Sequence, residues 1–214
     1  MRTFLKIALL GCFCLPAWAS AEEKLDKVEL DTSRAGIARG ADLLMTNCHS
    51  CHALKYIKYR DLAGIGIDKS KLDEWRGDQQ MDGTLQAQMN ESDATQSFGK
   101  APPDLSLMTK ARDGGADYVY SYLLAYYVNA EGVTGNHIFP ATHMPDPLGI
   151  SNAADDAAKK EIQGKAKDIV SFLAWASDPH AQERHTLGYY VIGYLIVLTA
   201  LLYLVKRQIW SRLK

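Results

Sequence analysis

Five consecutive residues, Cys48-His49-Ser50-Cys51-His52, carry the densest chemistry in the chain. Two thiols separated by two residues, with an imidazole directly after, form the attachment pattern of a c-type haem. The spacing follows from the reaction: each thiol adds across a haem vinyl group to give a thioether, and the next residue brings a ring nitrogen to the iron. On this reading Cys48 and Cys51 hold one covalent haem c and His52 is the proximal ligand. His49, between the thiols, is expected to face solvent. A bare Cys-x-x-Cys also occurs in zinc sites and in thioredoxin-like redox pairs. Zinc would need two more ligands at suitable spacing, and the other cysteines, Cys12 and Cys14, sit in a leader-like segment. A redox pair belongs beside a βαβ pattern, and none is visible.

An iron held in this way takes one more protein ligand, or none if it binds a small molecule. Residues 132–149, GVTGNHIFPATHMPDPLG, are too rich in Gly and Pro for extended regular structure. They contain His143-Met144-Pro145, where a stiff loop can press a thioether against iron, so Met144 is the best-placed distal ligand. Met45, Met81, Met89 and Met108 are competing thioethers, and His137 and His143 competing imidazoles. Met45 and Met108 read more simply as core filling.

The elements that must position these groups are helical. Ser33 caps a helix over residues 34–45 that runs into the haem motif, with Ile37, Ala41 and Leu44 on one face. Gly36 and Gly40 weaken that helix but permit close approach by another. Residues 55–83 read as a polar, glycine-punctuated run with one short helix near 69–75, and residues 92–101 as loop. Pro102-Pro103 ends whatever precedes it. A further helix is expected from Asp104-Leu105-Ser106 to Gly114-Gly115, then one over 117–127 with Val119, Leu123 and Tyr126 on a shared face. A long amphipathic helix over 156–177 carries Ile162, Ala166, Ile169, Val170, Leu173 and Ala174 as its apolar stripe. The expected fold is mainly α, a c-type cytochrome haem domain with one C-terminal transmembrane helix. In it the helix before Cys48 packs across 156–177 with haem between.

The formal net charge of −1 conceals a segregation. All 25 acidic side chains, but only 18 of the 24 Lys and Arg, lie in residues 22–184. The other basic residues sit at the two ends. No nucleic-acid partner is expected of so acidic a segment, whereas a basic protein partner would be attracted. Arg2 and Lys6, an apolar run over 7–15 and Ala19-Ser20-Ala21 read as a secretory signal. Leu9-Leu10-Gly11-Cys12 is the rival reading, a lipoprotein attachment site. Residues 187–205, LGYYVIGYLIVLTALLYLV, carry no charge and are long enough to cross a hydrocarbon core of roughly 30 Å. Tyr189, Tyr190, Tyr194 and Trp210 mark its interfaces, and Lys206, Arg207, Arg212 and Lys214 keep the tail cytoplasmic. The expected division is a signal peptide over 1–21, a periplasmic haem domain over 22–185, an anchor over 186–206 and a basic tail over 207–214. That places the protein in a bacterial inner membrane.

Beyond these readings, nearly the whole exported part resembles the cytochrome c1 family, the haem subunits of quinol–cytochrome c reductase (cytochrome bc1) complexes. The likeness rests on Cys48-His49-Ser50-Cys51-His52, Tyr59-Arg60-Asp61-Leu62, Pro102-Pro103-Asp104-Leu105-Ser106 and Ala111-Arg112-Asp113-Gly114-Gly115-Ala116-Asp117-Tyr118-Val119. Met144-Pro145-Asp146-Pro147-Leu148 and the anchor ending Lys206-Arg207-Gln208-Ile209-Trp210-Ser211 complete it. The resemblance implies His52 and Met144 as axial iron ligands and Cys48 and Cys51 as thioether attachments. It also implies that Arg112 pairs with a haem propionate and that Tyr118 lies near the same edge. Implied partners are cytochrome b and a Rieske iron–sulfur protein within a dimeric complex, with a soluble or tethered cytochrome c as acceptor. The implied function is outer-sphere electron transfer, with no substrate bond made or broken on this subunit. Two other functions fit the haem motif and anchor: a donor to a terminal oxidase or nitrogen-oxide reductase, and a haem sensor with an open sixth site.

Overall fold

In the computed structural model, which describes residues 24–213, the chain folds into a helical domain followed by one long separate helix. The signal segment and Cys12 lie outside the described residues. An extended strap over 24–33 comes first. It is pinned to the domain by side chains rather than by a sheet: Asp26 N–H donates to Ser121 Oγ (2.8 Å), Val28 N–H to Asp117 Oδ1 (2.9 Å) and Asp31 N–H to Ser171 Oγ (2.9 Å).

Helix α1 spans Arg34–Asn47, and the Ser33 hydroxyl accepts from Gly36 N–H at 3.0 Å as its N-cap. Strand β1 (Leu54–Lys58) leads into α2 (Tyr59–Gly64) and α3 (Lys69–Arg76), and β2 (Thr84–Leu85) returns antiparallel to β1. Helices α4 (Glu91–Phe98), α5 (Met108–Ala111) and α6 (Gly115–Leu124) follow. Strands β3 (Tyr126–Val128) and β4 (Thr134–Asn136) make a small antiparallel pair with Tyr126 opposite Asn136. After a short 3-10 turn at Ile150–Asn152 come α7 (Asp156–Ala176) and α8 (Ala181–Ser211).

The core forms where α1 crosses α7. Ile37, Ala41 and Leu44 meet Ala166, Ile169, Val170, Phe172 and Leu173, with Val119 and Leu123 of α6 and Ile57, Tyr59, Leu62 and Leu72 closing the sides. Gly40 is the contact point: a Cβ built there would fall on the Asp168 carbonyl, 2.7 Å from its carbon and 2.8 Å from Phe172 Cβ. The two backbones therefore touch, and the expected sandwich with haem between these helices is wrong. Any group held by the motif sits beyond the crossing, at the C-terminal end of α1. Arg39 locks the crossing from outside, its guanidinium bonded to both oxygens of Asp168 (3.0 and 3.1 Å) and to Asp31 (2.9 Å).

Five expectations change. Residues 55–83 are not simply polar, because Ile57, Tyr59, Leu62, Ile65 and Leu72 point into the core. Residues 92–101 are mostly helix, started by Asn90, whose side chain accepts from Asp93 N–H at 2.8 Å, with Glu91 and Asp93 complementing the helix dipole. Asp104 opens no helix; its carboxylate is bonded elsewhere. Helix α6 ends at Leu124 rather than 127, because Tyr126–Val128 pairs as a strand. The stripe on α7 likewise centres on Phe172, fully buried, while Ile162 and Ala174 sit at its margin.

Helix α8 is long and apolar enough to cross a membrane: its 31 residues rise about 46 Å, and none of its apolar window is buried in the domain. Residues 187–205 lie wholly within it. The break before it is held by Asp178, which accepts from Lys110 Nζ (2.7 Å) and from Arg184 on α8.

Candidate functional site

The haem-type motif continues the coil of α1. Cys48 N–H and His49 N–H both donate to Leu44 O (2.8 and 3.1 Å), and Cys51 N–H and His52 N–H both donate to Cys48 O (3.1 and 2.9 Å). Residues three and four apart on such a turn share a face, so both thiols and the His52 ring come out on one side. Both thiols are free. Cys48 is buried and Cys51 half-buried, and burial pushes the Cys48 thiol up to about 12, so it is a neutral sulfur.

His52 is held in a ligand's posture. Its Nδ1 lies 2.7 Å from the Pro103 carbonyl oxygen. A carbonyl only accepts, so Nδ1 carries the proton and the Nε2 lone pair is left free. Burial also lowers the pKa of His52, keeping the ring neutral.

The Pro103 carbonyl is itself fixed. Leu105 N–H donates to Ala53 O (2.9 Å), Lys55 N–H to Asp104 Oδ2 (2.9 Å) and Tyr56 N–H to Ser106 Oγ (3.1 Å), while Ser106 N–H donates back to Asp104 Oδ1 (2.9 Å). Pro-Pro-Asp-Leu-Ser is thus a strut zipped along residues 53–56 that orients the histidine. Proline suits it, since its fixed φ stiffens the segment that carries the accepting carbonyl. From sequence the segment reads as a stop, a helix start and a family mark, and its role in orienting the histidine is not visible there.

His49 departs from its expected place. It is 2% exposed, not solvent-facing, and its Nδ1 has no hydrogen-bond partner among the described residues. Because the motif extends α1 as a tight turn, the position after Cys48 is carried inward against residues 88–89, whose N–H groups donate to the carbonyls of His49 and Ser50.

A second group of side chains around the cluster that contains Cys48 comes from α6 and the loop after β4. Tyr118 and Tyr122 stack with ring centroids 6.3 Å apart, and Tyr126 meets Tyr122 edge-on at 5.6 Å. The Arg112 guanidinium lies 6.0 Å from the Tyr118 ring centroid. Arg112 and Tyr118 are therefore brought together, and Arg112 makes no ion pair with a described carboxylate.

Met144 is half-buried and packs against the same apolar cluster that contains Cys48. Its loop is anchored at both ends. Buried Asn136 donates to the Tyr122 carbonyl (2.8 Å) and accepts from Ile138 and Phe139 N–H (2.9 and 3.0 Å). Asp146 accepts from Leu148, Gly149 and Ser151 N–H (3.1, 2.9 and 2.8 Å). Between them Thr142 Oγ1 receives Met144 N–H (3.2 Å). An Asn or Asp two or three residues before a turn is the local sequence signal for such anchors.

Of the rivals of Met144, Met81 is exposed, Met45 and Met108 pack against the same cluster as Met144, and Met89 is half-buried beside the motif, its N–H donating to Ser50 O at 2.9 Å. His137 is exposed and stacks on Tyr127 at 4.2 Å, and His143 is exposed beside Gly99. Among the described residues no three His, Cys, Asp or Glu side chains gather as a metal-binding set, so the zinc alternative lacks its further ligands. A neutral imidazole with a free Nε2 and two thiols on one turn are a set whose chemistry fits a haem iron, and the Met144 thioether packs against the cluster that contains Cys48.

Comparison with known proteins agrees on the family. The family model described as Cytochrome C1 family matches residues 26–213. Cytochrome c1 of Allochromatium vinosum is 31% identical over 88% of this chain and 89% of its own length. A Nitrosomonas europaea protein named ammonia monooxygenase gamma subunit is 29% identical over 98% of this chain and 97% of its own. A solved chain of a hyperthermophilic respiratory Complex III covers 90% of this chain and 89% of its own, at 20% identity and a TM-score of 0.48.

Proposed function

The chain belongs to the cytochrome c1 family, and from that premise we propose that it is the membrane-anchored haem subunit of a quinol–cytochrome c reductase (cytochrome bc1) complex. It passes single electrons from a Rieske iron–sulfur protein to a soluble or tethered cytochrome c. The observation that carries the reading is the bond from His52 Nδ1–H to the Pro103 carbonyl, 2.7 Å long. It gives the motif histidine the tautomer an iron ligand needs, and it is made by the segment most particular to the family.

In this reading Cys48 and Cys51 hold haem c as thioethers, and His52 and Met144 complete the iron's coordination. When bound, the haem supplies a one-electron couple whose potential a His/Met pair raises, as an acceptor from a high-potential iron–sulfur centre requires. The protein's part is positioning. The Pro103 strut fixes the imidazole, Asn136 and Asp146 stiffen the thioether loop, and Arg112 beside Tyr118 offers a cation for a propionate. No residue here performs substrate chemistry. Helix α8 anchors the protein, with residues 22–185 on the periplasmic side of a bacterial inner membrane, 186–206 spanning it and 207–214 in the cytoplasm. Cytochrome b and the Rieske protein are its partners in a dimeric complex, and the acidic balance of residues 22–184 favours a basic acceptor.

The test is the optical spectrum of the detergent-extracted complex with quinol as the only reductant. Reduction of a c-type band that is abolished by an inhibitor of the Rieske-docking site is expected. A c-type band indifferent to both quinol and inhibitor would overturn the assignment to this complex and favour an anchored donor or a sensor.

A further inference from the structure

We propose that Tyr122 is a positioning residue for the sulfur of Met144, donating a hydrogen bond to it that raises the midpoint potential of the haem. The inference rests on the reading of Met144 as the distal ligand and deepens it. Tyr122 sits on α6 one turn after Tyr118, and its hydroxyl reaches across to the loop after β4. There it lies 3.6 Å from Met144 Sδ, an ordinary separation for the larger sulfur atom, and 2.6 Å from Thr142 Oγ1.

Counting protons directs the bond. Tyr126 O–H donates to the Tyr122 oxygen at 2.9 Å, and Met144 N–H donates to the Thr142 oxygen at 3.2 Å. If Thr142 gives its own proton to the Tyr122 oxygen, the single Tyr122 proton goes to Met144 Sδ and every hydroxyl in the group is used. If Tyr122 gave its proton to Thr142 instead, the sulfur, half-buried with the tyrosine hydroxyl 3.6 Å away, would be left without a donor.

A thioether sulfur has two lone pairs. One can face the iron and the other can accept from Tyr122, so the bond and ligation are compatible. Accepting a hydrogen bond draws electron density from sulfur and weakens it as a donor. The more electron-poor iron state loses more by this, so the reduced state is favoured. The same bond, with Thr142 and Asn136, ties the thioether loop to α6. Of the three hydroxyls, that of Tyr122 comes from the helix that also carries Tyr118, so α6 positions both the ligand and the Arg112 edge.

The experiment is Tyr122→Phe in the intact complex, which keeps the ring and its stack on Tyr118 and removes only the hydroxyl. Tyr120→Phe, on another face of α6, serves as control. Two quantities are read: the midpoint potential by equilibrium titration, and the far-red sulfur-to-iron charge-transfer band of the oxidised protein. In Tyr122→Phe the band is expected to persist, displaced, while the reduced-to-oxidised ratio at fixed ambient potential falls roughly two- to ten-fold. Tyr120→Phe should leave both in place. A retained, undisplaced band with an unchanged midpoint in Tyr122→Phe would overturn the hydrogen bond and leave Met144 as ligand. Absence of the band from the unaltered protein would overturn the ligand reading, and this inference with it.

Discussion

Alanine placed at Gly40 and at Gly164 should shift stability in opposite directions, although both glycines lie inside helices. In an open helix Gly→Ala gains about 1 kcal/mol from backbone entropy. Gly164 is such a case: it is exposed on α7 and a Cβ built there meets nothing within 4 Å. Gly40 faces the α7 backbone, where its Cβ would lie 2.7 Å from the Asp168 carbonyl carbon and 2.8 Å from Phe172 Cβ. Carbon atoms in contact prefer about 3.5–4.0 Å, so α1 must retreat from α7 by roughly 1 Å. The retreat loosens Ile37, Ala41 and Leu44 from Ile169, Val170 and Leu173 together. Overpacking of this kind costs about 1–3 kcal/mol, and a backbone neighbour cannot swing aside, so the upper end applies. After the propensity gain, Gly40→Ala should be destabilised by about 2 kcal/mol, and the two variants should differ by about 3 kcal/mol. Urea unfolding of the detergent-solubilised protein, followed by circular dichroism, measures both. Equal stabilities for the two variants would refute the contact between α1 and α7.

Asn136→Ala should free the loop that carries Met144, since one buried side chain serves the Tyr122 carbonyl and two N–H groups. We expect a loss of about 2–3 kcal/mol and faster proteolytic nicking in residues 137–149; an unchanged nicking rate would count against the clamp. Asp31 supplies a pH dependence. Hydrogen bonds from Ser33 and then Arg39 hold its pKa down to about 2, below an unfolded value of about 3.9. A depressed carboxylate stabilises the fold above its unfolded pKa, and the contribution is lost as pH falls through its folded pKa. Asp31→Asn should therefore be less stable than the unaltered protein at neutral pH, with the gap closing between roughly pH 4 and 2. A gap that stays constant across that window would refute the assignment.

Much of this protein follows from local sequence. The two thiols and histidine need only a helical turn to share a face, and Ser33, Gly40 and the apolar spacing of 34–45 suffice to cap α1 and mark where it can touch another helix. Residues 187–205 are apolar throughout, so their helix and its exposure follow from composition. Local pattern failed where partners came from far along the chain. Residues 55–83 look polar because each buried side chain, such as Tyr59 or Leu62, stands alone among charged neighbours, and only the folded core shows that they meet. The short strand at 126–128 could not be told from the end of a helix, because its pairing with 134–136 is a tertiary fact.

By itself the sequence determined the haem-type motif, the candidate ligands and the helices at 34–47, 69–76, 156–176 and 181–211, since each depends on residues a few positions apart. Only the tertiary structure decided how those ligands are held. The tautomer of His52 depends on a carbonyl 51 residues away, and the setting of Met144 depends on Tyr122 and Asn136 on separate elements. The burial of His49 follows from a turn packed against residues 88–89. Such bonds join groups that no periodicity relates, and they form only after the core has fixed the distances between backbones.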